Sequence, residues 1–506
     1  MLPLLIACAP WSLAGPGVIQ GIVLEHASGR AMARIAVTLL PVAEADGKVV
    51  SAPVSSRTGR SGQFTFSRVP PGLYVIIATH PGYFPASWGQ RIPAGRGRPI
   101  AVGGDSSFFA EIRMRHRGAI TGRVLDENGV GESGVPVVAY HGRLPLRFAG
   151  STRSEEWGRY RIPGLLPGKY WVRSGGHVLL DGSGWLPTFS PGGQFPHNAR
   201  LIEVSLDTDT GYADVSPEAG RTFGLNGRVS CAFNGAVLVT LSSETGQRFF
   251  QTSCGEGFAF SALAPGPHEL FAATQTAGAS AFLELNLSGD LPGVNLTLVP
   301  LPRVVVEVEV GGTKVAATQV PVKLVGRRLN IAEIDPLREI PLGQTALPPG
   351  HWEFRAEAPP GYYVADVAAP SQGSQRRKAA EQLNEWYPSW ISQTGDSHVS
   401  VRLSDKPAIL EGQVTENGKP VPGVTVFLWP ETLEGRRAAG GFLQMLSDTK
   451  GGFYFANLPP GNYRVVASFD ILELDADLIE VSKAVKVTAK HESSNPLELR
   501  PWTAPF

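Results

Sequence analysis

Ten histidines and three cysteines are the side chains of this 506-residue chain with the widest chemical repertoire. A zinc hydrolase needs His-x-x-Glu or His-Glu-x-x-His, so that two ligands meet one ion. None of the ten histidines has Glu three residues later, and none opens His-Glu-x-x-His. Gly-x-Ser-x-Gly, which lifts a nucleophilic serine onto a strained elbow, is absent, as is the phosphate-cradling P-loop. His80, His141, His177, His268 and His351 are scattered among turn and strand patterns and read as loop or edge residues. Asp207-Thr208-Asp209-Thr210-Gly211 begins like a calcium loop, but Gly211 stands where a third oxygen ligand belongs. A polar turn is the better reading there. The residues therefore offer no catalytic constellation, no metal site and no cofactor, and the expectation is a protein without enzymatic activity.

The cysteines suggest a different use. Cys231 and Cys254 fall 23 positions apart, one after an alternating strand pattern and one at the end of another. Both would lie near strand ends, where a disulfide needs Cα atoms about 4.4–6.8 Å apart. Such a bond requires an oxidising compartment. Cys8 stands apart, inside the apolar opening Met1-Leu2-Pro3-Leu4-Leu5-Ile6-Ala7-Cys8. With Ser12-x-Ala14 following, residues 1–14 read as a signal segment, so the chain is expected to be exported to the periplasm, the outer surface or the medium. Leu5-Ile6-Ala7-Cys8 also resembles a lipoprotein box with Cys8 as the anchor. No other stretch approaches the ~20 apolar residues of a membrane helix.

Aromatic side chains are the remaining candidates for recognition. Gly82-Tyr83-Phe84-Pro85-Ala86-Ser87-Trp88 and Gly184-Trp185-Leu186-Pro187-Thr188-Phe189 occupy corresponding places, and Trp386-Tyr387-Pro388-Ser389-Trp390 adds a third group. Rings in a shallow loop can stack on sugars or grip a partner. Tyr83, Trp88, Trp185, Phe189, Trp386 and Trp390 are thus candidate ligand contacts for a polysaccharide or for other cell-surface proteins. The competing reading has the same rings cap an open sandwich end or pack against a neighbouring unit.

The elements that would carry these loops are short. Gly (59) and Pro (42) make up about a fifth of the chain, far above average usage, while 42% of residues stay apolar. That combination suits many turns joining many strands. Charged residues are only 18%, and 45 basic side chains balance 45 acidic ones, so no basic face for nucleic acid is expected. Gln375 to Trp390 is the one helix candidate, with Ala379, Leu383 and Trp386 on one face.

A repeat runs through the whole length. Alternating strands with an internal glycine recur at Gly21, Gly122, Gly227 and Gly412, and a version without the glycine starts at Arg303-Val304-Val305-Val306. Each is followed by a second signature, of which the fourth keeps only the latter half, Pro349-Gly350-His351-Trp352-Glu353-Phe354. The first such pair is Gly62-Gln63-Phe64-Thr65-Phe66 and Pro71-Gly72-Leu73-Tyr74-Val75; the last is Gly452-Phe453-Tyr454-Phe455 and Pro460-Gly461-Asn462-Tyr463-Arg464-Val465. Period-two alternation buries one face of a sheet, and Pro-Gly sets a turn. Gly72, Gly168, Gly266 and Gly461 are expected at turn positions, several with positive φ. A sheet with one buried face must be covered by a second, which makes each repeat a β-sandwich.

These motifs resemble carboxypeptidase regulatory-like domains, which are transthyretin-like sandwiches of Ig-type architecture. Val421-Pro422-Gly423-Val424-Thr425-Val426 and Ser133-Gly134-Val135-Pro136-Val137-Val138 add the second-strand pattern of that family. The resemblance implies an all-β fold built as a tandem array of about five sandwiches of bacterial exported type. Their expected bounds are 17–115, 118–217, 222–300, 302–404 (with a short helical insertion at 375–390) and 407–500. It implies no peptidase. It points to a non-catalytic scaffold or adhesion-type protein, with carbohydrate or cell-surface polymer binding through the aromatic loops as the alternative. The units are expected to sit like beads with modest contacts.

Overall fold

In the computed structural model the described residues are 16–503, apart from 43–50, 93–94, 105, 142–145, 179–182, 195, 233–234, 244–245, 275–277, 317, 333–334, 371–384, 472–478, 480–481 and 492–495. The 1–14 segment, with Cys8, lies outside them. The chain is all-β, and its strands form small sheets stacked in pairs. Buried apolar side chains gather in five main clusters, drawn from residues 19–114, 120–215, 225–298, 304–403 and 408–499. A small sixth cluster around Phe427, Trp429, Val466 and Ile471 lies beside the last of these.

Each cluster is wrapped in the same way. In the first, Gly17–Glu25 sits between Gln63–Val69, antiparallel, and Ser107–Met114, parallel. The facing sheet runs Val54–Arg57, Ala36–Pro41, Gly72–Thr79. The parallel pairing of the opening strand with a late strand recurs around all five clusters. Side-chain alternation dictates which faces meet. Ile19 and Val23 are buried along Gly17–Glu25, while Gln20 between them is exposed.

The repeated residues have local physical reasons. Gly21 faces Phe64, Gly122 faces Tyr160, Gly227 faces Phe258 and Gly412 faces Phe453 across the antiparallel pair. A Cβ on any of them would come under 3.0 Å from that aromatic side chain and from a carbonyl in or just after the late strand. The ring lies over the space the side chain would need. Around the fourth cluster the sizes are exchanged: Val306 faces Gly343, so one bulky and one small residue still meet. The ring that follows Pro-Gly turns back on its own chain. Tyr74, Tyr170 and Tyr463 donate their hydroxyls to the carbonyls of Pro70, Leu166 and Pro459 at 2.9, 2.8 and 2.6 Å. Trp352 does the same with Nε1, to Pro348 at 2.8 Å.

Two expectations need correction. Of the four Pro-Gly glycines, Gly168 (φ 149°) and Gly266 (φ 114°) have positive φ, whereas Gly72 and Gly461 do not. The left-handed residue instead falls four positions earlier, at Arg68, Gly164, Ala262 and Asn457, where the register shifts against the opening strand. An extra residue in one strand must be absorbed by a bulge, and the bulge takes the unusual backbone. The helix expected at 375–390 is not found in its described part. Residues 375–384 lie outside the described residues, and Tyr387–Ile391 is a strand paired with Gly350–Phe354. Tyr387, Ser389 and Ile391 alternate inward, and period two prevails over the helical spacing. A six-residue helix stands elsewhere, at Leu433–Ala438, capped by Thr432. The first and last repeats also touch.

Candidate functional site

The six candidate rings are used for packing. Trp185 and Phe189 are buried, with the Arg173 guanidinium 5.0 Å from the Phe189 centroid. Trp386 is buried beside two cations, Arg327 at 4.2 Å and Arg355 at 4.9 Å from its centroid. Trp88 is half-buried, edge-on to Phe108 at 4.9 Å. Tyr83 is half-buried and bonded to Glu25. Trp390 is half-buried against Phe282 at 5.7 Å and His351 at 4.6 Å. They come from three separate segments of the chain, and half of them are buried.

Two of these rings lie at seams between sandwiches. At the first seam the segment Met114–Gly118 leaves one sandwich and enters the next. Glu25, buried at the end of the opening strand, accepts hydrogen bonds from Ser28 Oγ and from Tyr83 Oη (2.9 Å). His116 Nε2 lies 2.9 Å from the same carboxylate, and Arg30 lies 3.6 Å away. Bonding from Ser28, then His116 and Tyr83, holds the Glu25 carboxyl at a pKa of about 2. The linker is gripped from the far side too. Asp207 accepts from Arg115 Nε at 2.5 Å and from the His116 backbone at 2.6 Å. A cleft of about 540 Å³ opens beside this seam, lined by Arg117, Arg161, Asp207 and Asp209 among others. Both of its carboxylates are taken: Arg161 holds Asp209 through two bonds of 2.8 and 2.9 Å, which lowers the Asp209 pKa. The calcium-like Asp207–Gly211 motif is thus a set of ion-pair acceptors.

At the seam between the third and fourth clusters, Trp390 and Phe282 meet edge to face. Gln393 bonds the Phe282 backbone at 2.9 Å, and Glu284 lies 3.0 Å from His351. Arg328 stacks 3.8 Å from the Phe271 centroid, and Glu269 accepts from the Ile331 backbone. The fourth and fifth touch where Asn457 accepts from the Gly361 backbone at 3.0 Å. The first and fifth touch through Arg91, 3.5 Å from buried Asp470, and through the Arg96 backbone, which donates to Phe469 at 2.6 Å.

Cys231 and Cys254 are joined as a disulfide, with Cα atoms 5.7 Å apart, beside the third core. The large rings left open to solvent include Trp157 (71% exposed) and Tyr212 (85%), both with positive φ, besides Phe109, Phe148, Phe249 and Tyr454; none of them was a candidate in the sequence. A lone ring inside a polar turn, as in Glu155-Glu156-Trp157-Gly158, is the signal that marks such a position. Among the described residues no group of three or more His, Cys, Asp or Glu is arranged to hold a metal ion. None of their helices is long and apolar enough to cross a membrane.

Residues 18–102 match the family model of the carboxypeptidase regulatory-like domain, so the first sandwich is a domain of that kind. No curated protein matches the chain. Solved structures similar to it include the minor pilin of Streptococcus agalactiae, at 12% identity over 41% of this chain and 97% of that one, with a TM-score of 0.26. Another is the major pilin subunit of Bacillus cereus, at 10% identity over 96% and 98%, with a TM-score of 0.16. The major pilin of Corynebacterium diphtheriae gives 8% identity over 56% and 97%, with a TM-score of 0.17.

Proposed function

We propose that the chain is a non-catalytic, exported scaffold in which five β-sandwiches, bounded as 17–115, 118–217, 222–300, 302–404 and 407–500, hold one another in fixed orientation. The supporting observation is how its polar and aromatic groups are used. Glu25, Tyr83, His116 and Asp207 lock one seam, and Phe282, His351, Trp390 and Gln393 lock another. A catalytic or sugar-binding surface would keep such groups open to a ligand. Export is supported by the Cys231–Cys254 bond, which persists in oxidising compartments. Carbohydrate binding through the six rings is the weaker reading, because Trp185, Phe189 and Trp386 are buried and the other three are half-buried against neighbouring side chains. Small-angle X-ray scattering of the full chain tests the scaffold. One rigid conformation should fit the wild-type profile, and Trp390→Ala should broaden it. A wild-type profile that only freely jointed sandwiches can fit would overturn the proposal.

A further inference from the structure

The neutral total conceals a local imbalance. Between Gly17 and Arg117 the chain carries eleven arginines and one lysine against five acidic residues, a net of +7, while the whole chain is +0. Part of that excess is gathered at one end of the first sandwich. Arg34 and Arg57 lie on adjoining chain segments: the Arg34 backbone donates to Thr58 at 2.9 Å, and Ala36 pairs with Arg57. Arg60 stands in the next turn, whose Gly62 packs against Ala31 and Met32. All three arginines are exposed, and among the described residues none has an ion-pair partner. The nearby carboxylate, Glu25, is already engaged by Ser28, Tyr83, His116 and Arg30.

The backbone supplies a second, independent observation. A buried hydroxyl pins this end in three of the sandwiches: Thr58 Oγ1 accepts from Ile35 N, Ser154 Oγ from Val135 N, and Ser447 Oγ from Val424 N. The residue before each of those amides is left-handed. It is Gly134 (φ 77°) in the second sandwich and Gly423 (φ 67°) in the fifth, but Arg34 (φ 62°) in the first. A side chain in that region is strained, so retaining arginine where its counterparts have glycine points to use of the charge.

We infer that Arg34, Arg57 and Arg60 form a docking surface for an acidic polysaccharide, one bearing carboxylate or sulfate groups. Guanidinium forks match those groups in pairs. The loops 26–34 and 58–62 carry no Phe, Tyr or Trp to stack on bases, and no exposed large apolar residue to enter a membrane. The surface rests on charge and backbone geometry, and it stands or falls separately from the scaffold proposal.

The test uses the full chain and fluorescein-labelled polygalacturonate or dextran sulfate, read by fluorescence anisotropy, with neutral dextran alongside. Comparing the two acidic polymers separates carboxylate from sulfate recognition. Wild type should bind an acidic polymer, weaken as salt rises, and ignore neutral dextran. The R34G/R57S/R60S variant should lose about tenfold or more in affinity. Its first change installs the residue found at Gly134 and Gly423, so its melting temperature should not fall. A control of equal charge loss, R159S/R228S/R303S, should bind nearly as wild type. The inference is overturned if wild type does not bind, if both variants lose equally, or if duplex DNA or phosphatidylserine vesicles bind more tightly at equal charge concentration.

Discussion

At the scale of single residues, the repeated backbone outliers give the sharpest expectations. Ala262 is left-handed (φ 60°) at the bulge where the second sandwich has Gly164. Ala262→Gly should therefore stabilise the third sandwich by about 0.5–1 kcal/mol, because it relieves a strain that only a Cβ creates. Chemical denaturation of the full chain, followed by the transition assigned to this sandwich, checks it. Gly461 is the counter-case. Its φ is not positive, and a Cβ there meets nothing within 4 Å, so Gly461→Val should have little effect. Tyr463 is fully buried, and its hydroxyl has Pro459 as its partner at 2.6 Å. Tyr463→Phe should destabilise by about 1–2 kcal/mol, since the carbonyl loses its donor while the ring stays packed. Glu25 supplies a pH dependence. Its carboxyl is depressed from 4.5 to about 2. Its stabilising contribution is complete above the ordinary value and is lost as pH falls toward the depressed one. The melting temperatures of wild type and Glu25→Gln should differ at neutral pH and converge as pH approaches about 2; a constant difference across that range would refute the assignment.

At the scale of elements, the opening strand and its partners form the unit that cannot be altered. Gly227 lies under Phe258 and against the carbonyl of Val294, so Gly227→Val should unfold the third sandwich or destabilise it by more than about 3 kcal/mol. Circular dichroism and limited proteolysis would reveal it. The Cys231–Cys254 bond closes a loop of 23 positions beside the same core. In the chain-entropy model, reduction should remove about 3–4 kcal/mol. This element pattern was largely legible. Glycine, aromatic and Pro-Gly positions are each forced by contacts within a hairpin or by the adjoining strand. The Tyr387–Ile391 strand was not legible, because Ala379, Leu383 and Trp386 also fit a helical face. Short apolar runs support either period until a neighbouring strand, here Gly350–Phe354, offers hydrogen bonds.

At the scale of the whole molecule, the seams decide behaviour. Trp390 joins its sandwich to Phe282 of the preceding one, and Arg91 reaches Asp470 in the last. Asp470 is buried, so Arg91→Ala leaves its carboxylate without this cation. The expected outcome is release of the first sandwich from the fifth, seen in scattering as an increased maximum dimension, with the five cores still folded. An unchanged dimension would mean that the Arg96–Phe469 backbone bond and the packing around it suffice.

The sequence by itself determined the class of fold and the repeat, and it made a Cys231–Cys254 bond the expectation. Period-two burial is set by neighbours along the chain, and the glycine under a ring and the two cysteines at strand ends fall at spacings contained within one repeat. Only the tertiary structure decided the fate of the aromatic loops. Trp185 and Trp157 look equally available in the sequence, yet one is buried and the other is 71% exposed. The difference lies in what packs against them, and those partners come from remote strands or from another sandwich. The same holds for charge. Arg115 and Arg34 are both arginines of one basic stretch, but Asp207 meets the first, while no described carboxylate meets the second. Burial and pairing are properties of surfaces brought together, and the residue order does not state which surfaces those are.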